Sequence, residues 1–76
     1  MNISAMSVTF DEENMWVELT DGRTLGVPLA QFPRLLQATP AQRARVELSG
    51  IGLHWNEIDE DISVAGLLAE IGRAHV

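Results

Sequence analysis

Cysteine is absent from the 76-residue chain, which excludes disulfides and thiolate metal centres. Lysine is absent too: the 5 basic residues are all arginines, Arg23, Arg34, Arg43, Arg45 and Arg73, against 11 acidic residues, for a formal net charge of −6. A nucleic-acid backbone therefore has no basic cluster to land on, and direct nucleic-acid binding is disfavoured. No apolar run approaches the roughly 18 residues of a membrane span, and Met1-Asn2-Ile3-Ser4-Ala5-Met6 has neither the basic nor the apolar region of a secretory signal. Glycine-rich phosphate loops are missing, since Gly50-Ile51-Gly52 is a lone pair of glycines without a following lysine. These absences point to a cytoplasmic protein whose charge suits a basic protein partner or a cation.

The composition that remains, 46% apolar and 21% charged, is that of a folded domain. Residues 1–76 make one small domain, near the size at which a chain buries only about 60% of its unfolded surface.

Met6, Val8 and Phe10 alternate with Ser7 and Thr9, predicting a strand over Ala5 to Phe10. Asp11-Glu12-Glu13-Asn14 follows as a polar turn, Met15 to Leu19 alternates again, and Asp21-Gly22 precedes a third strand, Thr24 to Pro28. A three-residue loop, Thr20-Asp21-Gly22 with Gly22 left-handed, sets Val17 opposite Leu25 and Met15 opposite Val27, whereas a two-residue loop mixes polar and apolar residues on each face. With Phe10 opposite Met15 and Val8 opposite Val17, the meander presents one apolar face that includes Met6, and that face requires a cover.

The cover is predicted to be helical. Phe32 to Ala38 forms a short helix with Phe32, Leu35 and Leu36 as its apolar set. Thr39-Pro40-Ala41-Gln42 is a capping box with proline at the first helical position, opening a helix that runs to Val46 or Glu47. Leu53-His54-Trp55 reads as a short fourth strand, followed by an acidic stretch, Glu57 to Asp61. Val64, Leu67, Leu68 and Ile71 then fall on one face of a helix ending near Gly72, with Ser63 as its cap, Ile62 and Leu67 as a staple, and Arg73 to Val76 as a frayed tail. The expected fold is α+β: a three-stranded antiparallel meander plus a short fourth strand, one face covered by two or three short helices.

The combination of Val27-Pro28-Leu29, Pro33-Arg34-Leu35-Leu36, Ala38-Thr39, and His54-Trp55 through Asp59-Glu60-Asp61-Ile62-Ser63-Val64 to Gly66-Leu67-Leu68 resembles a small bacterial family catalogued as domain of unknown function 2442. The resemblance covers nearly the whole chain. It implies a compact α+β domain with no established activity and no catalytic residues to transfer. Some relatives are encoded beside another small protein in a manner suggestive of toxin-antitoxin pairs. Others carry an additional helix-turn-helix domain; this chain ends soon after its last helix, so no DNA-binding role is carried over.

Functional groups are densest from His54 to Ser63. His54, Glu57, Asp59 and Asp61 offer an imidazole and carboxylates to a divalent cation or to general-base chemistry, as in a small metal-dependent hydrolase. The spacing lacks the glycine and distal glutamate of a calcium loop and the second histidine of a zinc helix. The favoured assignment is structural: His54, Trp55, Asp59, Asp61 and Ser63 turn the chain and start the last helix, leaving Glu57 and Glu60 in solvent. Arg34 either pairs with the acidic stretch or meets a partner's carboxylate. Trp16 lies opposite the core face with Ser7, Thr9, Glu18 and Thr24, and two readings stand side by side: an interface anchor, or a ring covered by the C-terminal segment. The expectation is a non-enzymatic protein-interaction domain, the acidic member of a toxin-antitoxin-like pair, using Trp16, Arg34, Glu57 and Glu60, without a metal or cofactor. The alternatives are the hydrolase and a homo-oligomeric structural subunit.

Overall fold

A computed structural model describes residues 3–74, with side chains described as far as residue 69. Three strands, β1 (Ala5–Phe10), β2 (Asn14–Leu19) and β3 (Thr24–Pro28), form an antiparallel sheet in that order. The alternating side chains set the register as expected, with Phe10 opposite Met15, Val8 opposite Val17, Val17 opposite Leu25 and Met15 opposite Val27. Gly22 closes the second hairpin at φ +92°, a conformation that costs glycine nothing. Met15, Val17, Leu19, Leu25 and Val27 are buried on one face.

Met6 does not join them. The pairing shifts between Ala5 and Ser7, so that Ala5 faces Leu19 and Met6 becomes the extra residue of a bulge. A bulge interrupts the two-residue alternation; Ala5 is buried and Met6 is 58% exposed.

After a single 3-10 turn at Leu29–Gln31 come two five-residue helices, α1 (Pro33–Gln37) and α2 (Pro40–Ala44). In α1, Leu35 is buried, whereas Leu36, predicted as core, is 48% exposed. One turn of helix directs only one residue squarely at the sheet. The capping box forms as read: the Thr39 hydroxyl accepts from the Gln42 amide at 3.1 Å and the Gln42 side chain accepts from the Thr39 amide at 2.9 Å. The helix ends earlier than predicted, at Ala44, because α2 buries no residue of its own. Extending it would gain no burial, while the extended backbone lets Val46 pack against the core and Glu47–Leu48 pair as β4.

The predicted fourth strand is instead the centre of a second antiparallel sheet, β4-β5-β6, in which β5 is Gly52–Trp55 and β6 is Glu60–Ser63. The acidic stretch is a hairpin rather than a loop. Asp59, at φ +55°, occupies the left-handed region that a short polar side chain tolerates. Leu53, Trp55 and Ile62 point inward and complete one cluster with the first sheet.

Helix α3 spans Val64–Ala74, beyond Gly72, so Arg73 is helical rather than frayed; His75 and Val76 lie outside the described residues, as does the Ile71 side chain. Ser63 caps α3 by accepting from the Gly66 amide at 2.9 Å, and Ile62 and Leu67 are both buried in the shared cluster. The fold is α+β, with the first sheet covered by a second small sheet together with short helices.

Candidate functional site

On the outer face of the first sheet, Thr9, Trp16 and Gly26 form one cross-strand row and Ser7, Glu18 and Thr24 the next. The Trp16 ring lies over Gly26, where an added Cβ would stand 2.5 Å from Cζ3 of the indole. A glycine inside a strand pattern signals such an approach. Asp11 fixes the other end: its Oδ1 accepts from the amides of Glu13 at 2.9 Å and Asn14 at 2.6 Å, and its Oδ2 accepts from the Trp16 indole N–H at 2.8 Å. The Trp16 bond first, and then the two amides, hold the Asp11 carboxyl below the usual aspartate range. Trp16 remains 39% exposed, on a face otherwise made of hydroxyls, glycine and a glutamate.

The second sheet carries a polar row on its outer face, Glu47, His54 and Asp61, one residue from each strand. His54 Nδ1 meets Asp61 Oδ1 at 2.5 Å, and Nε2 meets Asn56 Oδ1. The Asn56 amide is oriented by donating to Glu47 Oε2 at 3.1 Å, so its oxygen faces the ring. Acceptors at both nitrogens favour the doubly protonated imidazolium. Asn56 and then Asp61 raise the His54 pKa above its ordinary value, with Glu47 adding a smaller charge effect. Beside this row lies an open depression of about 410 Å³ bordered by Ser49, Ile51, Gly52, His54, Asp61 and Ser63.

The four groups proposed for metal or hydrolytic chemistry separate. Asp61 meets His54, but both Glu57 oxygens accept from Arg45, at 3.0 and 2.7 Å, and the Asp59 carboxylate stands 3.8 Å from Arg34. Among the described residues, no three histidine or acidic side chains gather to hold a metal ion. Arg34 also donates to the Asp59 carbonyl, so it reaches the acidic stretch within the molecule while most of its side chain stays exposed. Of the two residues expected in solvent, Glu57 is exposed but paired, and Glu60 is half-buried opposite Trp55. Trp55 is buried, and its indole N–H donates to the Arg43 carbonyl at 3.0 Å.

Asp11 and Gly26 beside Trp16, and Asn56 and Glu47 beside His54, were not among the predicted site residues. Gly26 carried a readable signal. Nothing local connects Glu47 with His54, because the contact depends on a two-residue strand.

A family described as Protein of unknown function (DUF2442) matches residues 5–73, and the chain belongs to it. Among solved structures, a Rhodospirillum rubrum protein of unknown function is similar at 31% identity, TM-score 0.77, over 92% of this chain and 89% of that one. An uncharacterized Chromobacterium violaceum protein is similar at 28% identity, TM-score 0.74, over 87% of this chain and 64% of that one, so the chain spans less than two thirds of it. No curated protein matches.

Proposed function

We propose that this member of the family of unknown function 2442 is a non-enzymatic protein-interaction domain, the acidic member of a two-protein, toxin-antitoxin-like pair. The observation that carries the reading is Trp16. The hydrophobic cluster closes without it, yet Asp11 and Gly26 hold its ring in one orientation on an open sheet face. A preformed, half-exposed tryptophan loses little freedom on binding and offers a large contact area, the properties of an interface anchor. Glu18 beside it and the Asp11-Glu12-Glu13 turn favour a basic partner. Glu57, Glu60 and Arg34 form a second polar region on this reading, at the β5–β6 turn.

Co-expression with a small protein encoded beside this one, followed by titration calorimetry of the purified components, tests the proposal. An anchor of this kind is worth about 2 kcal/mol or more, so Trp16→Ala should weaken the complex by about thirtyfold, and charge reversal at Glu57 and Glu60 by less. Native affinity in Trp16→Ala, or no complex at all, would overturn the reading. A homodimer dissociated by the same variant would instead assign the face to self-association.

A further inference from the structure

Strand β1 pairs with β2 along one side only. The Asp11 amide donates to the Asn14 carbonyl at 3.0 Å and the Leu19 amide to the Arg23 carbonyl at 2.8 Å. Backbone groups of an antiparallel strand alternate in direction. Ser7, Thr9 and Asp11 therefore turn toward β2, and the N–H and C=O of Val8 and Phe10 turn away from it. β1 is an edge of its sheet, and among the described residues neither pair of groups meets another backbone or side chain.

This free edge borders a groove of about 640 Å³ between β1 and α2. Val8 and Phe10, both only half-buried, form its floor, and Pro40 and Ala44 its far wall. The Arg43 guanidinium lies 6.0 Å from the Phe10 ring centroid but is tied to the carbonyls of Leu35 and Leu36 at 2.8 and 2.9 Å, so it frames the groove without filling it. At the turn end stand Asp11 and Glu12. Both Asp11 oxygens are occupied by donors of the chain, whereas Glu12 is exposed.

We propose that the edge of β1 at Val8 and Phe10 binds an extended segment of a protein partner as an added antiparallel strand, carrying a basic residue followed by two apolar residues two positions apart. The two free N–H and two free C=O groups supply the main-chain pairing. Residues opposite Val8 and Phe10 place their side chains on the same face, in the groove. An antiparallel strand begins where β1 ends, so its first residue meets Glu12 and a positive charge is favoured there. The proposal rests on the interaction reading in taking a protein as partner; it uses the inner-face side chains and outer edge of β1 rather than the outer face of the central strand that carries Trp16, and shares with that reading the Asp11–Glu12 turn.

The test is a titration of the isotope-labelled full chain, followed by amide resonances, with a capped six-residue peptide of arginine followed by alternating threonine and valine. Saturable downfield shifts of the Val8 and Phe10 amides are expected at about 1 mM peptide. A peptide with glutamate in place of arginine should bind about fivefold more weakly, the size of an exposed ion pair, and one with arginine at the other end likewise. Ala44→Gln, at an exposed helical position, should block the groove without unfolding the chain and abolish the shifts; Trp16→Ala should leave them intact. Silent Val8 and Phe10 amides, equal binding of all three peptides, or loss of binding in Trp16→Ala alone would overturn the proposal. Failure here with a Trp16-dependent partner complex would remove this edge site and leave the reading of the Trp16 face standing.

Discussion

The indole N–H of Trp16 donates to Oδ2 of Asp11 at 2.8 Å, across the turn that joins the first two strands. The same carboxylate caps that turn through the Glu13 and Asn14 amides, so one ionised group both closes the hairpin and aims the tryptophan. Its pKa is lowered in the folded chain. The stability it adds is therefore present above the ordinary aspartate value of about 3.9 and is lost as pH falls through the lower folded value. Trp16 emission should stay constant down to about pH 4 and change below it, and Asp11→Asn should remove that transition. A transition above pH 4 would place the control of Trp16 elsewhere.

Gly26→Ala tests the other support. The new methyl group would stand 2.5 Å from Cζ3 of Trp16, and the neighbouring atom belongs to a surface side chain, so the ring moves rather than the strand. A shifted rotamer and lost stacking should cost about 1 kcal/mol, lowering the melting temperature by roughly 4–8 °C for a domain of this size. Trp16 emission should move to the red. An unchanged spectrum would show that the ring does not rest on this glycine.

His54 should titrate above its ordinary value of about 6.5, because Asn56 and Asp61 both accept from its ring. A raised folded-state pKa means that the contribution of the charged ring is complete below about pH 6.5 and fades as pH rises through the folded value. Ring-proton shifts followed over about pH 5 to 9 should show the raised value in the native chain and values nearer the ordinary one in Asn56→Ala and Asp61→Asn. A native value at or below 6.5 would mean that the row across β4, β5 and β6 does not stabilise the cation in solution.

The first sheet was readable because its determinants are local: Met15, Val17 and Leu19 alternate without interruption, and Gly22 marks the loop that fixes their register. The bulge at Met6 was not, since the same alternation continues through it in sequence and only the pairing with β2 reveals the slip. The second sheet was half readable. Leu53 and Trp55 showed as a strand, but Glu60-Asp61-Ile62-Ser63 is poor in strand-forming residues, and its single inward hydrophobe, Ile62, served equally well as a helix staple. Geometry also changed the candidate site. Arg45 and Arg34 draw Glu57 and Asp59 away from His54, and an arginine's reach across elements leaves no trace in spacing.

Helix α2 gives the last prediction, because it buries no residue and must be held by polar contacts. Trp55 donates to the Arg43 carbonyl from β5, and the Arg43 side chain donates to the last carbonyls of α1 at Leu35 and Leu36. Cutting the two links should have different consequences. Trp55→Phe removes part of a buried ring and leaves the Arg43 carbonyl without its donor, which should cost about 2–3 kcal/mol and destabilise the whole domain. Arg43→Ala removes only a half-exposed side chain and its two bonds, so global stability should fall by about 1–2 kcal/mol, while amide exchange quickens chiefly across α1 and α2. Hydrogen exchange with thermal melts separates the outcomes. If Arg43→Ala loosened both sheets as much as Trp55→Phe does, the short helices would be integral to the core; if exchange stayed local, α2 would be a movable wall of the groove beside β1.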